Sequence, residues 1–271
     1  MDDYINIYTN VYFKLIEIGK ELSLHSFSEK NDKVELYGLV SLNLCKQQTK
    51  SIYILLEHKL HPSVLILIRN VFETFFNYQW ILRGETKSEK IERVNQLEGK
   101  AFNDIEKELN VMKENSSSSN PIWKPEMYED KEKFLEFLKT HYPELTYKDK
   151  TEIKFKKPKE SSLESRMSYI ERIKFYSLYR FTCAFVHPTP ILRDLLLLRE
   201  GSEKNPIQLL KPHLKEALDY CLFLIYGIAF NLSKVLEERK EFNKEKVDKI
   251  LAEIFSIISN SSASKLLEYA I

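Results

Sequence analysis

The chain has 271 residues, 43% of them apolar and 12% aromatic, which suffices for a substantial core in one large domain. Lys and Arg total 41 against 40 acidic residues, with a pI near 7.6, so a surface that is basic all over and coats nucleic acid is excluded and any such contact must be local. Only six glycines and little alternation of period two favour an almost purely helical chain; with no G-x-G-x-x-G, Walker or G-x-S-x-G pattern, Rossmann dehydrogenases, P-loop ATPases and α/β-hydrolases are also excluded.

In chain order, Ile5, Tyr8, Tyr12, Leu15 and Leu22 recur at helical spacing and predict a first helix. Asp32 and Glu35 read as a capping pair that opens a second helix, running to about Leu60 before His61-Pro62. A third helix is expected from Ser63 to Leu82, stopped by Gly84, and Thr86 with Glu89 opens a charged amphipathic fourth towards Lys113.

The tract Asn115 to Pro121 is low-complexity and reads as a flexible loop, followed by a short helix from about Met127 to Thr140. Between Tyr147 and Ser161, six lysines from Lys148 to Lys159 surround no apolar period; the segment reads as a solvated linker or a mobile phosphate-binding arm. Ser161 and Glu164 are expected to cap a helix that continues through Arg180 to His187, where Pro188 stops it. A short helix at Ile191 to Arg199, a long one from about Pro212 to Glu238 and a last one from Asn243 towards Ser259 complete the chain. The expectation is a single all-α domain over 1–271, a multi-helix bundle with a flexible insertion at about 115–161.

The odd set Cys45, Cys183 and Cys221 matches no metal knuckle and no disulfide framework, and the start Met1-Asp2-Asp3-Tyr4 lacks the basic residues of a secretory signal; both point to the cytoplasm. The most apolar stretch, Tyr220 to Leu232, is shorter than the roughly 18 residues a membrane span requires, so a buried helix and no membrane partner are expected.

Two groups of residues carry candidate chemistry. On the third helix, Arg69, Asn70, Glu73, Thr74 and Asn77 fall within about 140° of one another, between the apolar collars Ile66, Trp80 and Ile81. Arg69 and Glu73 are four residues apart: either a helix ion pair or an anion-binding arginine beside an orienting carboxylate. On the later helix Tyr176, Arg180, Ala184 and His187 share a face; seven residues at about 100° each bring Arg180 and His187 within about 20°, roughly 10 Å apart along the axis. His187 is equally a helix-terminal histidine facing the dipole. Glu57, His58 and His61 form a weak metal-ligand group without a third distant partner, and Cys183 suits a small buried hydrophobe better than a nucleophile.

Arg180 and His187 resemble the R-x(4-6)-H signature of the HEPN superfamily, helical bundles that include metal-independent endoribonucleases of toxin-antitoxin, abortive-infection and CRISPR systems. Leu67-Ile68-Arg69-Asn70-Val71-Phe72-Glu73 and Phe185-Val186-His187-Pro188 also resemble an uncharacterised bacterial helical family near that superfamily. The likeness covers roughly residues 35 to 235 without the insertion, and the position after the arginine, often polar in active members, is Phe181. The resemblance implies a HEPN-like bundle that cleaves RNA in a bacterial stress or phage-defence system, without metal or cofactor. It further implies a homodimer with its site at the two-fold interface, and a cognate antitoxin or defence partner. His187 would be acid or base, Arg180 would stabilise the phosphorane, and Glu73 would assist, with Arg69, Asn70, Asn77 and Tyr176 as substrate contacts. The alternative is a non-catalytic helical module that binds a partner protein or a nucleotide.

Overall fold

The computed structural model describes residues 1–22, 27, 32–116, 126–149, 152–186, 206–239 and 242–259. These residues form the helices α1 (Asp2–Leu22), α2 (Lys33–Glu57), α3 (His61–Leu82), α4 (Lys87–Ser116), α5 (Glu126–His141), α6 (Leu163–Tyr169), α7 (Tyr176–Cys183), α8 (Pro206–Leu236) and α9 (Lys244–Ser259). Between α5 and α6 lies a two-stranded hairpin of β1 (Thr146–Asp149) and β2 (Glu152–Phe155). The multi-helix, essentially all-α architecture read from the sequence is what the structure shows.

The chain divides into two compact units, Met1–Gln79 with Arg166–Ile271, and Trp80–Ser165. In the first, α1 packs on α2 and α9, and α8 packs on α2 and α9, around Tyr8, Leu15, Ile18, Cys45, Ile52, Leu222 and Ile254, all fully buried. The tyrosines of α1 bring their own polar ends inside: Tyr8 donates to the Leu218 carbonyl at 2.9 Å and Tyr4 to Asp219 at 2.6 Å. Helix α3 contributes Phe72, Phe75 and Phe76, and Phe175 bridges from Phe76 to Tyr220 on α8, with ring centroids 5.9 and 5.3 Å apart. Gly38 on α2 is a close-approach position: a Cβ there would stand 2.5 Å from the Tyr78 hydroxyl and 2.8 Å from Leu232. Pro212–Leu236 is the one helix among the described residues with the length and apolar composition to cross a membrane, and 67% of its apolar window is buried within the protein.

The second unit holds the hairpin against α4. Thr146 pairs with Phe155 and Asp149 with Glu152, and the Lys156 amide extends the pairing by donating to Leu145 at 2.8 Å. Phe155, Leu109, Leu135, Leu138 and Leu145 form a small core with Phe102, whose ring lies 5.6 Å from that of Phe155. Gly99 on α4 admits the hairpin backbone: a Cβ would lie 2.7 Å from the Lys156 carbonyl and 2.8 Å from that of Leu145. Trp80 donates to Glu160 at 3.2 Å, and Arg93 covers its ring at 5.0 Å while donating to its carbonyl at 2.6 Å.

Four local expectations require correction. The lysine-rich segment is a hairpin as far as Phe155 instead of a linker, because Phe155 at the end of β2 buries itself in the α4 core while Lys148 stays exposed. Helix α2 ends at Glu57, where Lys59 takes a φ of 57° and the amides of Lys59 and Leu60 donate to Leu56 and Leu55, a Schellman closure without glycine. Asp32 makes no cap hydrogen bond; Arg239 takes its carboxylate at 2.6 Å. Finally, the expected continuous helix from Ser161 to His187 is broken. Ser162 caps α6, accepting from the Ser165 amide at 3.0 Å, and Glu171 (φ 60°) closes α6 in a second Schellman turn, with Arg172 donating to Met167 at 2.8 Å. The chain then restarts as a short 3-10 turn, Ile173–Phe175, and α7.

Candidate functional site

Helix α3 is apolar around most of its circumference because it crosses the core of the first unit, and Arg69, Asn70, Glu73, Thr74 and Asn77 share one polar stripe along it. Arg69 and Glu73 stand one turn apart on that stripe and pair: Nε of Arg69 donates to Glu73 Oε1 at 3.0 Å, and Nη2 lies 2.9 Å from the same oxygen in the ion pair. The same oxygen accepts the Tyr179 hydroxyl of α7 at 2.8 Å, and the Arg69 guanidinium lies 5.8 Å from the centre of the Tyr179 ring. One turn further along, Asn77 Oδ1 accepts Nε of the buried Arg166 from α6 at 3.0 Å. Thr74 turns its hydroxyl back to the Asn70 carbonyl at 2.8 Å, while Asn70 itself is half-buried.

The environment keeps the Tyr179 phenol protonated. Burial first, then its bond to the Glu73 carboxylate, raise its ionisation above the ordinary tyrosine range, so at neutral pH it acts as a donor. Arg69 is shifted upward too: burial alone would lower it, but Tyr179 and Glu73 outweigh that effect. At 22% and 36% side-chain exposure, Arg69 and Glu73 are partly open to solvent. The arrangement can hold a positive charge beside a protonated phenol between α3 and α7.

Arg180 follows Tyr179 on α7 and is exposed, with no hydrogen bond, ion pair or ring contact among the described residues. Tyr176 is half-buried and stacks on Tyr179, its ring centroid 5.9 Å away. Helix α7 ends at Cys183, and the amides of Ala184, Phe185 and Val186 donate three residues back at 3.1 to 3.2 Å. That tightening replaces the uniform 100° step used to align Arg180 with His187. His187 lies outside the described residues, as does the expected short helix at Ile191 to Arg199.

Of the residues expected at the site, the structure brings Arg69 and Glu73 together with α7, ties Asn77 to α6, and leaves Arg180 in solvent. Sequence reasoning missed Tyr179 and Arg166. Tyr179 lies three residues from the chosen Tyr176, on nearly the same side of a helix, and periodicity alone does not separate the two. Among the described residues, no group of three or more His, Cys, Asp or Glu side chains is placed to hold a metal ion.

A model described as a family of unknown function, DUF5677, matches residues 39–204, a segment containing Arg69, Glu73, Tyr179, Arg180 and His187, and the chain belongs to that family. No curated protein and no solved structure matches the chain.

Proposed function

We propose that this member of a family of unknown function is a cytoplasmic, metal-independent endoribonuclease of bacterial stress or phage defence, active as a homodimer under the control of a partner protein. The observation that carries the reading is the contrast between two neighbours: Tyr179 is fastened to Glu73 and Arg69, while Arg180, the next residue, stands exposed and unpaired among the described residues. A cation held at a defined place by its neighbour, yet free of carboxylates, suits a phosphate.

In this reading the RNA 2′-hydroxyl loses its proton to a base and its oxygen attacks the adjacent phosphorus. The bond to the 5′-oxygen breaks, an acid protonates that oxygen, and the products are a 2′,3′-cyclic phosphate and a 5′-hydroxyl end. His187 exchanges the proton and Arg180 neutralises charge on the phosphorane. Glu73, engaged by Arg69 and Tyr179, acts as a positioning residue that holds α7 against α3, with Arg69, Asn70, Asn77 and Tyr176 flanking the RNA path.

The test is incubation of purified protein with total RNA in EDTA, followed by end mapping. Cyclic-phosphate ends that vanish in His187→Ala and in Arg180→Ala support the reading; intact RNA with the wild-type protein overturns it. A second reading, a non-catalytic module for a partner protein or nucleotide, is favoured by the occupied Glu73 carboxylate, which is taken up in joining helices. It requires uncut RNA together with partner or nucleotide binding that Arg180→Glu abolishes.

A further inference from the structure

Away from the α3 stripe, α1 and α2 flank a half-open cavity of about 470 Å³. Its apolar lining comes from Leu15, Leu39, Leu42 and Phe27, and its polar lining from Lys20, Asn43 and Lys46. Among the described lining residues the charged ones, Lys20 and Lys46, are both cationic. Lys46 is half-buried and has no partner among the described residues, so a cation stands beside the apolar lining. The volume lies within the range of small-molecule sites, roughly 300 to 1,000 Å³.

Gly19 supplies an independent observation. It sits inside the 21-residue helix α1, where glycine is a poorer choice than alanine, and its φ is not in the left-handed region. A Cβ built there would meet nothing within 4 Å among the described residues, so none of them demands its absence. Gly38 and Gly99 each admit a neighbouring group of the chain; Gly19 admits open space beside the cavity that it lines. Phe27, on the cavity lining, is fixed from another side by Arg239, whose guanidinium lies 4.6 Å from the ring centre and also holds Asp32.

We propose that this cavity binds a single-chain amphiphile with an anionic head, a medium-chain carboxylate, whose tail lies along Gly19 between α1 and α2 and whose head pairs with Lys46. The hollow is too apolar to favour a nucleotide, and the cation makes it unsuited to a neutral or cationic lipid.

Decanoate tests the site by calorimetric titration of the full chain, with decanol and decyltrimethylammonium as charge controls and thermal midpoints measured for each variant. The expected result is one decanoate per chain, at least tenfold weaker binding of both controls, at least a tenfold loss in Lys46→Glu, and no binding in a folded Gly19→Leu. Absence of saturable decanoate binding by the wild type overturns the proposal, as does unchanged binding in Gly19→Leu. If instead Gly19→Leu alters the oligomeric state and decanoate does not bind, a second copy of the chain occupies the groove and the proposal falls. RNA cleavage is not part of the readout, so the outcome is independent of the nuclease reading.

Discussion

Tyr179 donates to the same oxygen of Glu73 that Arg69 grips through two nitrogens, so one carboxylate oxygen joins α3 to α7. Hydrogen bonds to a charged group contribute more than neutral ones, about 1.5 to 3 kcal/mol. Tyr179→Phe removes the donor and keeps the ring, and is expected to lower unfolding stability by about 1 to 2 kcal/mol in a denaturant titration. Glu73→Ala leaves Arg69 without its counter-charge and is expected to cost more, about 2 to 3 kcal/mol, below the range for fully buried pairs because both side chains are partly exposed.

Arg180 has the opposite profile. Because it is exposed and makes no contact among the described residues, Arg180→Ala is expected to change stability by less than about 0.5 kcal/mol. Under the nuclease reading the same substitution lowers cleavage by at least about 100-fold, the size typical of losing one transition-state charge partner. Equal loss of stability and activity would assign Arg180 to the fold instead.

Gly99→Ala tests the helix–hairpin junction of the second unit. A methyl group there meets two carbonyls and an amide of the hairpin backbone within 3 Å, and backbone cannot swing aside as a side chain can. The expected cost is about 1 to 3 kcal/mol despite alanine's better helix propensity, read as increased protease cleavage within 146–155 and a lower thermal midpoint.

The acid limb of stability should carry the signature of Glu89. Its carboxylate accepts the Glu85 amide at 2.8 Å and Arg93 at 2.6 Å, and these bonds, the amide first, hold its ionisation below the usual carboxylate range. A depressed folded value means that the contribution is complete above the unfolded pKa of about 4.5 and disappears as the pH falls through the folded one. Glu89→Gln should therefore be less stable than wild type at neutral pH, with the two melting curves merging as the solution becomes strongly acidic.

Helix positions were readable wherever a local signal marked both ends. The apolar run of α3 with Gly84 beyond it, and Thr86, whose hydroxyl accepts the Glu89 amide at 3.1 Å ahead of α4, are such cases. The hairpin escaped because Phe155 is its single fully buried strand residue, and its docking partner Gly99 lies far away in the chain. The break at Glu171 escaped because glycine or proline ordinarily flags such a turn, and neither is present. At the site, the polar stripe of α3 could be drawn from periodicity, and so could the pairing of Arg69 with Glu73. What the stripe faces could not: Arg166 reaches Asn77 across 89 positions, and no spacing rule connects them.

The bonds from Asn77 to Arg166 and from Glu73 to Tyr179 are two rungs set one helical turn apart on α3. Grease between helices tolerates sliding; rungs do not. Slipping the α6–α7 segment along α3 by a single turn would pull Arg166 away from Asn77 and Tyr179 from its present place on the carboxylate at once. The polar stripe thus works as a detent, admitting one stop along the track and fixing where the chain presents its next cation to the outside.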